Sequence, residues 1–98
     1  MKTFKAVLFT KEDCLPCTLT KDHLNTLLSF TPDFSEHISV LQQENHKALV
    51  AAYTLELFPT LMLVDSDGEE LGRLIGGKSI REDLRGILYA LRTVNSWG

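Results

Sequence analysis

The strongest constraint in this chain is a pair of short, continuous apolar runs. Ala6-Val7-Leu8-Phe9 lies near the start and Leu61-Met62-Leu63-Val64 lies past the middle. Each is too short for a typical helix, and neither alternates as a half-solvated strand does. Both read as strands buried on two faces. A sheet with such a centre needs cover on both sides, which points to an α/β architecture with helices on both faces. The chain has 98 residues with 44% hydrophobic content, enough for one core. The expectation is one domain spanning residues 1–98.

The remaining segments fit around those two strands. The first strand runs from Phe4 to Phe9. Cys14 to Ser29 reads as a helix with Leu24, Leu27 and Leu28 on one stripe. Thr31-Pro32-Asp33 breaks it. Ile38-Ser39-Val40-Leu41 begins by alternating, as an edge strand does. Asn45 is placed to cap a second helix that runs to about Thr54 and buries Leu49, Ala52 and Tyr53. Pro59 opens the second continuous run. Asp65-Ser66-Asp67-Gly68 is a turn that returns Glu70 to Ile75 antiparallel. Gly76-Gly77 follows, and Ser79-Ile80-Arg81-Glu82 matches a capping box, placing a helix start at Ser79. Ile80, Leu84, Ile87, Leu88 and Leu91 form its apolar stripe, and residues 95–98 are expected to fray.

The order is β-α-β-α-β-β-α. A right-handed crossover makes the first two strands parallel. With the continuous runs central and the others at the edges, the sheet is four-stranded and mixed, in spatial order 2-1-3-4. Ligand sites in such sheets form beyond the carboxyl ends of the parallel strands. After the first strand those residues are Lys11 to Cys17.

A formal net charge of −3 gives no basic footprint for nucleic acid. No apolar run is long enough to span a bilayer. The first ten residues lead directly into Lys11-Glu12-Asp13 without a small-residue cleavage site, so they read as a strand rather than a targeting segment. These features place the expected setting in the cytoplasm.

The only two cysteines, Cys14 and Cys17, are three positions apart. A bridge between them closes a tiny loop and adds little chain-entropy stabilisation, so chemistry explains the pair better than stapling. Zinc wants four ligands, there is no second C-x-x-C, and His23, His37 and His46 are not spaced as an H-x3-5-H pair. No metal site is expected. In thiol–disulfide exchange the attacking sulfur must be ionised and reachable. At a helix N-terminus, free N–H groups and the macrodipole favour a thiolate. Cys14 fits the nucleophile and Cys17, one turn on, the resolving thiol. Pro16 is tolerated because first-turn N–H groups have no intrahelical partner. Glu12 and Asp13 oppose the thiolate, since like charges disfavour one another.

On these residues the chain resembles a compact thioredoxin over nearly its whole length. Phe58-Pro59-Thr60 resembles the thioredoxin loop that carries a cis-proline opposite the active-site disulfide. The resemblance implies a cis Phe58–Pro59 bond, with backbone at Phe58 pairing with bound substrate. Ile75-Gly76-Gly77 resembles the third substrate-contacting loop of the family. Leu15 and Pro16 complete the implied substrate-binding set. The chain also departs from the pattern. Asp13 stands where thioredoxins carry tryptophan, Leu15 where they carry glycine, and Leu8 where they bury an aspartate. The usual N-terminal strand and helix are missing. That shortening, Phe9-Thr10 and Ile75-Gly76-Gly77 lean towards glutaredoxins, whereas Leu15-Pro16 and Pro59-Thr60 lean towards thioredoxins. Small hybrids of this kind occur in phages, which would make the cytoplasm that of a host cell.

The resemblance implies a protein-disulfide reductase with no cofactor beyond the redox-active Cys14–Cys17 disulfide, acting as a monomer. Its implied partners are disulfide-containing proteins, such as ribonucleotide reductase, and a thioredoxin reductase or ferredoxin-linked reductase as electron donor. The alternative is a glutathione-dependent glutaredoxin, with Lys11, Arg73, Lys78 and Ser79 available to hold glutathione. A docking module without catalysis is the third reading, and an intact C-x-x-C weighs against it.

Overall fold

In the computed structural model, which describes residues 2–97, β1 (Phe4–Thr10) is followed by α1 (Leu15–Phe30), β2 (Ile38–Gln42) and α2 (Lys47–Ala52). Then come β3 (Thr60–Asp65), β4 (Glu70–Ile75) and α3 (Gly77–Ser96). Short 3-10 turns at Pro32–His37 and Gln43–Asn45 flank β2. The sheet order is β2-β1-β3-β4. β1 pairs parallel with β2 and antiparallel with β3, and β4 pairs antiparallel with β3. The strand order, the parallel β1–β2 pair and the antiparallel return of β4 are as expected, and the antiparallel β1–β3 pairing adds the direction that the sequence left open.

Alternate residues of the two central strands divide between two cores. Ala6, Leu8 and Leu61 pack under α1 and α3, against Leu24, Ile80, Leu84, Leu88 and Leu91. Phe34, from the first 3-10 turn, seals the same cluster. Phe9 and Met62 face the opposite side, where Val50, Tyr53 and Leu55 cover them. The helices therefore lie on both faces. The face under α1 and α3 has the larger core.

Three expectations about element ends are corrected. Asn45 does not cap α2: it lies inside the 3-10 turn, and His46 takes the cap position without a side-chain bond. The resulting phase turns Val50 towards the core and leaves Leu49 39% exposed and Ala52 exposed, so of the expected trio only Tyr53 packs inward. Helix α3 begins at Gly77, two residues before Ser79. Gly76 occupies the cap position at φ 96°, a left-handed conformation open to glycine, and no side-chain cap bond forms. Ser79 and Glu82 are both exposed.

The third correction concerns the tail. Asn95 and Ser96 continue α3 rather than fray, while Gly98 lies outside the described residues. The Asn95 side chain fastens this end of the helix to the start of β1. Its Oδ1 accepts the Phe4 N–H at 2.9 Å and its Nδ2 donates to the Phe4 carbonyl at 2.8 Å. The same Nδ2 lies 3.1 Å from Nδ1 of buried His37. One amide thus satisfies both backbone groups at the open end of β1.

The β3–β4 turn is held by Asp65. Its buried carboxylate accepts the N–H of Asp67 at 2.9 Å and of Glu69 at 3.0 Å, and Lys2 lies 3.2 Å away. The Glu69 N–H is the main influence holding this carboxyl below its ordinary range. Burial acts against it, and Lys2 and the Asp67 N–H add to the lowering.

Replacing Asn95 with Ala strands two part-buried backbone groups. The expected loss is about 1–3 kcal/mol in a urea melt. Asn95→Asp, which keeps the acceptor and loses the donor, should fall between it and the wild type. For Asp65, a folded-state pKa below the unfolded value of about 3.9 means its contribution is full above that pH and fades as the pH falls below it. Asp65→Asn should lower the melting temperature at neutral pH and flatten the acid side of the stability profile. An unchanged acid limb would show that the turn does not depend on this carboxylate.

Candidate active site

Cys14 is the N-cap of α1, in extended conformation at φ −128° and ψ 101°. It follows directly from the loop that leaves the carboxyl end of β1. Its Sγ accepts the Cys17 N–H at 3.2 Å, so sulfur replaces the serine or aspartate oxygen that usually caps a helix. Pro16 occupies the first turn, where its missing N–H has no consequence. The two cysteines are joined as a disulfide with Cα atoms 5.2 Å apart. Cys14 is 8% exposed and Cys17 is 1% exposed, so Cys14 is the more accessible of the two.

The segments singled out in the sequence converge here. The Phe58–Pro59 bond is cis, and the Phe58 carbonyl oxygen lies 3.9 Å from Cys14 Sγ. Thr60 is buried, and its hydroxyl donates to the Leu57 carbonyl at 2.6 Å, fixing the turn that precedes β3. The Gly76 N–H donates to the Pro59 carbonyl at 2.9 Å, joining the second loop to the third. Gly77 then packs on the first turn of α1. A Cβ there would lie 3.2 Å from the Pro16 carbonyl oxygen and 3.1 Å from Thr20 Oγ1. Close approach of α3 to the C-x-x-C turn thus depends on a residue without a side chain. Leu15, Leu57 and Ile75 form an exposed apolar rim at 69%, 62% and 47% accessibility.

Of the four residues considered for glutathione, Lys11, Lys78 and Ser79 are exposed. Arg73 is engaged elsewhere: its guanidinium holds Glu70, with one contact at 2.6 Å, and donates to the Tyr53 carbonyl at 2.9 Å. Leu8 is fully buried between Val40 and Leu61 and brings no ionisable group.

Four supporting residues escaped sequence reasoning. Thr20 is fully buried and its hydroxyl donates to the Pro16 carbonyl at 2.7 Å. Arg81 donates to that hydroxyl at 3.3 Å, linking α3 to the first turn of α1. Gln42 and Glu44, from the end of β2 and the turn beyond it, both bond Glu12 in the loop before Cys14. In that loop Asp13 adopts φ 52°, a left-handed conformation that aspartate tolerates better than most residues.

No protein-family model and no curated protein matches the sequence. Among solved structures the likeness is broad. The germline-specific thioredoxin Deadhead of Drosophila melanogaster superposes with a TM-score of 0.70 at 18% identity, covering 91% of this chain and 81% of its own. The thioredoxin of Malassezia sympodialis gives 0.71 at 13% identity, covering 90% and 74% respectively. Fasciola hepatica thioredoxin gives 0.67 at 20% identity, covering 90% and 80%. With the strand order, the helices on both faces and the disulfide at the start of α1, these superpositions establish that the chain has the thioredoxin fold.

Proposed function

We propose that this chain is a thiol–disulfide oxidoreductase that reduces disulfides in proteins. The observation that carries the reading is the position of Cys14: a helix-capping sulfur bridged to the next turn, beside the Phe58 carbonyl and ringed by exposed apolar side chains. The solved thioredoxins with which it shares its fold support the reading.

In the reduced chain, Cys14 is the nucleophile. The N–H of Cys17 points at its sulfur and the N-terminus of α1 lies behind it, both favouring the thiolate. The thiolate attacks one sulfur of a substrate disulfide, the substrate S–S bond breaks, and a mixed disulfide forms. The Cys17 thiolate then attacks Cys14 Sγ, releasing the second substrate sulfur. The substrate leaves as a dithiol with two electrons, and the chain is left with the Cys14–Cys17 bridge. Leu15, Pro16, Phe58, Pro59, Thr60, Ile75, Gly76 and Gly77 form the substrate surface in this reading. Leu57 extends its apolar rim.

Turnover requires a donor that restores the dithiol. A flavin-dependent or ferredoxin-linked thioredoxin reductase fits a protein-docking surface of this kind better than glutathione does. Arg73, one of the cations a glutathione site would use, is committed to Glu70 and the Tyr53 carbonyl. A pair kept reduced in this way belongs in a reducing compartment, the cytoplasm.

Insulin reduction by dithiothreitol should be accelerated by the wild type and fall back to the rate of dithiothreitol alone with Cys14→Ser. Cys17→Ser should instead accumulate covalent adducts with disulfide substrates, visible on a non-reducing gel, because attack remains and release is lost. Equal adduct formation by the two variants would reverse or abolish the assigned roles. Asp13→Asn removes a negative charge next to Cys14 and is tolerated at positive φ. In a Cys17→Ser background it should move the midpoint of iodoacetamide alkylation to lower pH. An unmoved midpoint would show that screening by solvent removes the influence of Asp13.

A further inference from the structure

Among the described residues, one buried side-chain oxygen lacks a hydrogen-bond partner: Oε1 of Glu44. A buried acceptor left unpaired is costly, more so on an ionisable group. A glutamine or an apolar side chain at this position would lessen that cost. The other oxygen explains what the residue does. Oε2 accepts the backbone N–H of Glu12 at 3.2 Å, across 32 positions of sequence. Gln42, at the end of β2, holds the Glu12 side chain, with its Nε2 donating to Glu12 Oε1 at 3.2 Å.

Glu12 and Asp13 are the last residues before Cys14. No strand pairing holds this loop, since the β1–β2 ladder ends at Thr10 and Gln42. Asp13 adopts a left-handed conformation, so the chain reverses sharply between the Glu44 contact and the reactive sulfur. Such a backbone persists only where its surroundings hold it. Downstream, Cys14 is fixed by the Cys17 N–H and its neighbour Phe58. Upstream, the Glu12 N–H held by Glu44 is the nearest anchor. Once the Cys14–Cys17 bond is broken by reduction, that anchor bears more of the task of holding Cys14.

We infer that Glu44 is a positioning residue: its carboxylate clamps the Glu12–Asp13 loop and holds the Cys14 thiolate in line for attack on a substrate disulfide. The inference rests on Cys14 being the attacking thiol. Glu44 does not touch the reacting atoms and acts only through the loop. Its length is essential to that role, because an aspartate on the same backbone would withdraw the accepting oxygen from the Glu12 N–H.

The test uses the full chain in a Cys17→Ser background, where Cys14 is the one remaining thiol. The probe is hydroxyethyl disulfide, a neutral molecule, so that changes in protein charge do not bias encounter. Cys14 attacks one of its sulfurs, a mixed disulfide forms, and mercaptoethanol leaves. The rate is followed against pH, giving a high-pH plateau for geometry and a midpoint for thiolate formation. Glu44→Asp and Glu44→Ala should lower the plateau about tenfold, the factor that accompanies loss of one moderate interaction in the attacking geometry. Glu44→Gln, which keeps the accepting oxygen, should recover most of the plateau. If aspartate, alanine and glutamine all retain the wild-type plateau, the inference falls. It falls equally if glutamine is as slow as alanine. Should Glu44→Ala fail to fold, the aspartate–glutamine pair still decides. A parent Cys17→Ser protein that does not react at all would overturn the reading of Cys14 instead.

Discussion

The two-faced burial of β1 and β3 is the constraint from which the rest of this molecule follows. Ala6 and Leu8 point one way and Phe9 the other, and Leu61 and Met62 repeat the division on the neighbouring strand. Neither strand is stable with one side open, so helical cover is required on both. At roughly 25 cal/mol per Å² of apolar area, each fully buried leucine or phenylalanine contributes about 1.5–3 kcal/mol relative to exposure. The side chains that meet this demand are spread across α1, α2, α3 and the 3-10 turn carrying Phe34. The chain must therefore cross the sheet repeatedly, and the loop after β1 emerges at one end of the central strands. Cys14 sits there because the core requires a helix to begin there.

That arrangement explains how a small domain keeps a reactive sulfur near its surface yet fixed. Cys14 belongs to two frameworks at once. As cap of α1 it receives an N–H from its own helix, and beside Phe58 it meets the loop that opens β3. The third loop is tied to the second through Gly76 and Pro59, and leans on the first through Gly77 and Pro16. Each of the three segments is held by one of the others, so the apolar rim of Leu15, Leu57 and Ile75 is displayed on a connected base rather than on independent loops.

What the sequence made legible follows the range of the interactions involved. Strand order, the β3–β4 return and the two cysteines could be read because continuous runs, alternation, turn residues and C-x-x-C spacing are local signals, whereas the direction of β3 relative to β1 could not. The start of α3 could not. Ser79-Ile80-Arg81-Glu82 has the residues of a capping box, but Gly76 at positive φ begins the helix earlier and leaves that box within its first turns. The second helix misled for a related reason. Asn45 is a good cap by type, yet the 3-10 turn absorbs it and rotates Val50, not Leu49, towards Phe9 and Met62. The link from Asn95 to Phe4 spans 91 positions, and nothing local to either residue announces it.

The candidate site divides along the same line. Its disulfide-bonded cysteines were legible and their supports were not. Thr20, Gln42 and Glu44 are unremarkable by type and carry no motif, and each acts by satisfying one backbone or side-chain group near the C-x-x-C turn. Leu8 shows the opposite limit. Its apolar character was plain in the sequence, and it is fully buried in the core beneath α1 and α3. Without an acid at Leu8, the influences next to Cys14 are the N-terminus of α1, the buried Cys17 N–H and the exposed carboxylates of Glu12 and Asp13. Exposed charges are screened and adjustable, whereas a buried acid is neither. In the proposed reaction this site therefore relies more on backbone geometry than on a buried acid at Leu8, and so depends more heavily on whatever holds that backbone in place.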